Sequence, residues 1–207
     1  LELVKKGESI DEVIKMAKLL EQAGVSIINT GIGWHEARVP TIATMVPRAG
    51  FAWVTELIKK EVNVPLVTTN RINHPQVAED ITESGKADLF SMARPFLADP
   101  ALVKKSRTGE EQDINICIGC NQACLDHVFQ NKMASCLVNP AACHETEFVK
   151  QPLIKKKNIA VVGAGMAGLS CSTTLAERGH QVTLFKAANK IGGQFNLAAA
   201  IPGKDAF

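Results

Sequence analysis
The sequence predicts an α/β protein in three consecutive parts: the C-terminal part of a (β/α)8 TIM barrel, a cysteine-rich segment, and the start of a Rossmann-like dinucleotide-binding domain. Three observations carry this expectation. Strand and helix patterns alternate over residues 1–110, the signature of a parallel sheet or barrel. Four of the six cysteines fall within residues 117–136. A glycine-rich turn at 163–168 joins a strand to a helix. The implied boundaries are 1–110, 111–150 and 151–207.

Ser9 is placed to cap a helix, with Asp11 and Glu12 complementing the dipole of its first turn. Val13, Met16, Ala17 and Leu20 recur at helical spacing, and Gly24 suits the stop. "VSIIN" (25–29) reads as a short buried strand, and the long loop after it, 30–50, is of a length that usually carries function. A helix over 51–62, a strand over 64–70, and a helix over 74–85 with Pro75 near its first turn come next. A strand over 87–92 and a helix over 99–109 capped by Asp99 complete this part.

Three strands do not close a barrel, so they read as the last three of eight units. Conspicuous residues follow each one: Trp34 and His35, Asn70 and Arg71, Ala93 and Arg94. Barrel active sites lie at the C-terminal strand ends, and the last two βα loops often bind phosphate. Arg71 and Arg94 therefore read as phosphate ligands, assisted by backbone N–H groups around Ala93; surface ion pairs are the plainer alternative. His35, in "GWHEAR", reads as a group that places or protonates a carbonyl-conjugated substrate. A lone loop histidine is more often a bystander.

The cysteines are spaced C-x2-C-x3-C, with Cys136 following Cys124 at a distance. A close trio plus a distal fourth suits an iron–sulfur cluster held by Cys117, Cys120, Cys124 and Cys136. Zinc is the rival. Its sites usually come as two C-x2-4-C pairs, and here neither a second pair nor a His-x3-5-His is present. The spacing favours iron–sulfur over zinc, and either over disulfides. Cys143 and Cys171 read as packed thiols.

Gly163-x-Gly165-x-x-Gly168 is a weak pattern alone, but "NIAVV" precedes it and a helix and "QVTLF" follow. The glycines allow a tight turn and close approach of a pyrophosphate. Lys186 stands where an acid would hold a ribose hydroxyl, and a cation there suits a 2′-phosphate, which keeps NADP open.

Composition sets limits. The chain has 207 residues, 46% hydrophobic and 21% charged, with net charge +2. No basic surface for nucleic acid is implied. No apolar run is long enough for membrane insertion, and no secretory leader is visible. Cysteines gathered in one loop point to metal ligation in a reduced, cytoplasmic protein. The chain opens without Met, contains no Tyr, and stops soon after the dinucleotide motif, so it reads as an internal fragment.

The motifs "HEARVPTIATMVPRAGF", "TTNRIN", "SMARPFLADP", "CIGCNQACLD", "SCLVNPAACHE" and "GGQFNLAAAIPGK" together resemble the two-domain relatives of old yellow enzyme. Within that group they are most similar to bacterial NADPH-dependent 2,4-dienoyl-CoA reductases. The resemblance implies an FMN-binding barrel, a 4Fe–4S cluster, and an FAD-binding domain with an NADPH domain inserted. It assigns the cluster to Cys117, Cys120, Cys124 and Cys136, and FMN contacts to Arg71, Ala93 and Arg94. His35 is implied in catalysis, with Glu36, Ala37, Arg38 and Val39 near the substrate. Ala167, Lys186, Gln194 and Lys204 are implied to line FAD, although relatives often carry an acid at the Lys186 position. The implied electron path runs from NADPH through FAD, cluster and FMN to an acyl-CoA, in unsaturated fatty acid breakdown. An enoate reductase, an amine dehydrogenase and a zinc-stapled nucleotide-binding module are the alternatives.

Overall fold
Local chemistry sets the first helix, α1 (Ile10–Gln22). The Ser9 hydroxyl accepts the Glu12 N–H at 3.3 Å, and the Glu12 carboxylate accepts the Ser9 N–H at 2.8 Å, a reciprocal capping box. Val25 does not open the following strand as predicted. Its N–H donates to the Leu20 carbonyl at 3.3 Å and closes the helix end, so β1 covers only Ile28–Asn29. The computed structural model describes residues 6–34, 37–149 and 151–204. The chain divides into two units, Leu1–Cys143 and His144–Phe207.

In the first unit, α2 (Ala52–Lys59) links β1 to β2 (Leu66–Thr68), and α3 (Pro75–Glu83) links β2 to β3 (Leu89–Phe90). The strands lie parallel in the order β1-β2-β3, with Ile28 beside Leu66 and Val67 beside Leu89. This is the βαβ arrangement that the alternating pattern predicts. Leu66 is fully buried, and Ala17, Val54 and Ile58 pack in the same cluster, joining α1 and α2 to the sheet. Ala78, Ile81 and Ala87 form a second cluster beneath α3. Thr30, Thr55 and Thr68 are buried hydroxyls that satisfy one another, at 2.8 and 3.0 Å.

The helix predicted over 99–109 is the shorter α5 (Leu102–Thr108), and an unpredicted short helix, α4 (Arg94–Ala98), precedes it. Asp99 does not cap α5; that position is Ala101. The nearly inaccessible Asp99 carboxylate instead accepts Lys105 Nζ at 2.6 Å and the N–H groups of Ala101 and Asn115, each at 2.9 Å. It therefore locks the turn between α4 and α5 to the chain entering the cysteine segment. Over 114–143 that segment carries one short α-helix, α6 (Leu125–Phe129), and belongs to the first unit, whereas 144–150 fall in the second.

In the second unit, β4 (Asn158–Val162) and β5 (Gln181–Phe185) pair in parallel through five residue pairs, with α7 (Met166–Glu177) between them. A short α8 (Phe195–Ala198) follows. Ile159 and Val161 are half-buried, whereas Val162 is exposed. Helix α7 buries no residue, because only a two-stranded ribbon lies against it. Cys171 is consequently exposed, as is Cys143, which corrects the expectation that both are packed. Among the described residues no helix is long and apolar enough to cross a membrane.

Burial pushes the Asp99 carboxyl up, but the hydrogen bonds from Lys105, Asn115 and Ala101 outweigh it and hold it below the usual carboxylate range. Asp99→Asn is expected to lower unfolding free energy by about 2–3 kcal/mol at pH 7. Asp99's contribution is complete above the unfolded carboxyl pKa of about 4 and fades as pH falls through its lower folded value. Urea unfolding as a function of pH should show the variant's deficit shrinking on acidification. A deficit independent of pH would contradict the electrostatic origin.

Candidate functional site
The C-terminal ends of β2 and β3 shape one pocket. After β2, Asn70 and Arg71 take left-handed backbone, with φ +73° and +57°. Such strain in consecutive non-glycine residues is tolerated where the surroundings fix it. Asn70 Nδ2 donates to the Ile32 carbonyl at 2.8 Å, and Arg71 Nε to the Val46 carbonyl at 2.7 Å. Arg71 is buried at 9% exposure, which lowers its guanidinium pKa; negative charge on Cys117 opposes that shift and Arg48 adds to it. After β3, Ala93 precedes α4 and Arg94 is its first residue. The structure brings Arg71, Ala93 and Arg94 together around this pocket, with Asn73, Ser91 and Cys117.

A second cavity adjoins the first. Cys117, Cys120, Cys124 and Cys136 all line it, together with Arg94 and Asn121. The Ser135 N–H donates to the Ala123 carbonyl at 2.6 Å, which brings the distal cysteine back to the trio. Gly119, at φ +67°, is required by both backbone and space. A Cβ there would lie 3.1 Å from Arg71 Nη1 and 3.2 Å from the Ala43 carbonyl carbon and the Thr44 nitrogen. The loop is tethered by Asn73 Nδ2 to the Cys117 carbonyl at 2.7 Å and by Thr44 Oγ1 to the Ile118 carbonyl at 3.0 Å. Asn121 Nδ2 donates to the Ile42 carbonyl at 2.8 Å, and Asn121 Oδ1 accepts from Arg94 Nη1.

Burial pushes the Cys117 and Cys120 thiols up, and the N–H groups of Gly119 and Gln122 respectively oppose it. Charge on Cys124 and Cys136 raises both further, while Arg94 lowers Cys117. Four thiols this close cannot all ionise without a cationic partner, and a metal centre is such a partner. Among the described residues there is no group of three or more His, Cys, Asp or Glu side chains arranged to hold a metal ion. None of the six cysteines is joined in a disulfide.

His35 and Glu36 lie outside the described residues. Beside them the Ala37 N–H donates to the Trp34 carbonyl at 3.2 Å, and Arg38 and Val39 are exposed. Gly33, Trp34 and Thr41 line a shallow depression with Asn70.

In the second unit, Gly163 has φ +110° and Gly165 opens α7. A Cβ on Gly168 would sit 1.8 Å from the Gly163 carbonyl oxygen, so only glycine lets α7 approach the turn. Ala167 lies in the first turn of α7. The Gly192 N–H donates to the Ala164 carbonyl at 2.8 Å, which lays the chain leading to Gln194, at the start of α8, against the glycine turn. Lys186 Nζ donates to the Asn189 carbonyl at 2.5 Å, so its ammonium is engaged by backbone. The Lys204 N–H donates to the Ile201 carbonyl at 2.9 Å.

Sequence reasoning missed Asn73, Thr44 and Asn121, whose partners are far away in the chain. Gly119 and Asn121 carried one available signal, their place inside and just after the first C-x2-C.

The layout is an α/β protein with an arginine-lined pocket beside a cavity lined by four thiols. Residues 1–113 match the NADH:flavin oxidoreductase / NADH oxidase family, and residues 161–203 match an NAD(P)-binding Rossmann-like domain. The chain belongs to the NADH:flavin oxidoreductase / NADH oxidase family. It is 46% identical over 188 residues to a metal reductase of Desulforamulus reducens, covering 91% of this chain and 28% of that protein. It is 39% identical over 208 residues to an NADH oxidase of Thermoanaerobacter brockii, covering 98% of this chain and 32% of the relative. A solved 2-naphthoyl-CoA reductase in complex with 2-naphthoyl-CoA superposes with a TM-score of 0.94 at 34% identity, over 99% of this chain and 32% of that one. The chain thus spans about a third of the length of these relatives.

Gly119→Ala is expected to cost more stability than Gly109→Ala. Both positions are left-handed, at φ +67° and +75°, but a Cβ at Gly109 meets nothing within 4 Å. Backbone strain of about 1–2 kcal/mol applies to both, and crowding of about 1–3 kcal/mol to Gly119 alone. Equal shifts in thermal unfolding would contradict the close approach of the loop to Arg71.

Proposed function
We propose that the first unit supplies the FMN-phosphate and 4Fe–4S sites of an NAD(P)H-dependent flavin oxidoreductase. Its substrate is a conjugated C=C bond in an acyl-CoA of the 2,4-dienoyl-CoA class, reduced in the cytoplasm to an enoyl-CoA. The observation that carries this reading is a shared wall: Arg94 and Cys117 line both the anion pocket and the thiol cavity. Two anionic groups, a phosphate and a thiolate-ligated cluster, fit on either side of a guanidinium.

The donors present suit these groups. Arg71, Arg94 and the Ser91 hydroxyl offer charge and hydrogen bonds to a phosphate. Four sulfurs lining one cavity, in a C-x2-C-x3-C spacing with a distal fourth, suit an iron–sulfur cluster better than zinc. When bound, FMN supplies hydride transfer, a cluster single-electron transfer, and FAD acceptance of an electron pair from NADPH. The chain's own residues fix positions. Gly163, Gly165 and Gly168 admit a pyrophosphate to the turn, with Ala167, Lys186, Gln194 and Lys204 around the FAD. His35 orients or protonates the carbonyl-conjugated substrate, with Glu36, Ala37, Arg38 and Val39 beside it. Seating of an aromatic acyl-CoA in the 2-naphthoyl-CoA reductase supports a CoA thioester over a free enoate or an amine.

Three measurements on the complete protein test this. Anaerobic preparations are expected to hold about four iron and four acid-labile sulfide per chain and no stoichiometric zinc; zinc without sulfide would contradict the cluster. Arg71→Ala combined with Arg94→Ala is expected to release FMN on gel filtration, and a variant keeping one FMN per chain would contradict the phosphate assignment. Turnover of a 2,4-dienoyl-CoA should exceed that of free cinnamate-type enoates, and the reverse order would overturn the substrate class.

A further inference from the structure
We infer that Asn121 is a positioning residue that couples flavin affinity to occupancy of the thiol cavity. This rests on the proposed reading of the two pockets. Asn121 follows Cys120 directly and lies before Cys124, so ligation on both sides would fix its backbone. Its φ of +64° is left-handed, a conformation asparagine accepts more readily than other side-chain-bearing residues. From there the two ends of one amide do different work. Nδ2 is anchored on the Ile42 carbonyl at 2.8 Å, and Oδ1 accepts from Arg94 Nη1. Arg94 lines both cavities, as does Cys117, and is the cation of the two. A guanidinium has five donors, so one bond to Asn121 fixes its plane and leaves donors for an anion.

The physical consequence is linkage. With the cysteines ligated, the Cys120–Cys124 backbone holds Asn121, and Asn121 holds Arg94 in one orientation toward the phosphate. With the cysteines unligated, that backbone gains freedom, and Arg94 must be ordered when the anion binds. Filling the thiol cavity therefore raises affinity for FMN, and by reciprocity FMN stabilises the cluster by the same factor. A factor of about ten is within the usual range of such couplings. Asn73 and Thr44 tether the same loop, but through backbone carbonyls of Cys117 and Ile118, and neither bonds a group placed in the anion pocket as a phosphate ligand.

The test uses the complete protein, stripped reversibly of FMN and titrated with FMN by flavin fluorescence quenching, before and after oxidative removal of the cluster. In the parent, cluster removal should weaken FMN binding about tenfold. Asn121→Gly removes the side chain while keeping the left-handed backbone unstrained. It should bind FMN about tenfold more weakly with the cluster present, and cluster removal should then change affinity by less than about twofold. Asn121→Asp keeps the acceptor for Arg94 but loses the donor to the Ile42 carbonyl, so its response to cluster removal should exceed that of Asn121→Gly and fall short of the parent's. An unchanged FMN affinity on cluster removal in the parent overturns the coupling, whatever the variants do. So does an equal loss in the parent and Asn121→Gly. A protein that holds neither iron nor FMN contradicts the functional reading instead, which keeps the two failures distinct.

Discussion
Hydrogen bonds from the barrel-end loops to the cysteine loop are the constraint on which the site depends. Asn73 and Thr44 donate to the carbonyls of Cys117 and Ile118, and Asn121 reaches back to Ile42. The partners come from the loops after β1 and β2, so the cysteine loop is seated on the C-terminal end of the sheet. Buried polar groups that lose their partners are costly, so the loop has little freedom to slide. Asn73 Oδ1 is itself buried without a hydrogen-bond partner among the described residues, which leaves the bond to Cys117 as the one that orients this side chain. Gly119 completes the fit by letting the loop backbone meet Arg71 without a Cβ between them.

Charge follows from that seating. Arg71 is buried next to Cys117, and Arg94 stands between the thiols and the anion pocket. Buried guanidinium groups need anionic or hydrogen-bonded partners, and buried thiols resist ionisation unless a cation compensates. On the proposed reading, phosphate on one side and a metal–sulfide centre on the other would meet both needs at once. The dependence also explains why Asp99 matters at a distance. It holds the Asn115 N–H, two residues before Cys117, and ties the entry of the cysteine loop to α5 through Lys105.

Features set by neighbours in sequence were legible. Ser9 as the cap of α1, Pro75 in the first turn of α3 and the glycine turn before α7 all follow from spacings of a few residues. The placement of Arg71 and Arg94 at strand ends was legible because parallel βα topology fixes where such residues face. Features set by distant partners were not. Asp99 looked like a helix cap because its long-range bond to Asn115 leaves no local pattern. Val25 looked like strand because its β-branched side chain outweighed its role in closing α1. Cys171 looked packed because an apolar helix face gives no sign of how many strands lie against it. Asn121 was unremarkable as a letter, and its meaning lies in Ile42 and Arg94.

The proposed iron–sulfur cluster, held by the sulfur quartet beside a flavin phosphate pocket, would have a direct spectroscopic signature. Low-temperature EPR of the complete, anaerobically purified protein after dithionite reduction is predicted to show a reduced iron–sulfur signal, lost in Cys124→Ser. An EPR-silent protein in which a thiol reagent titrates Cys117, Cys120, Cys124 and Cys136 as free would contradict it.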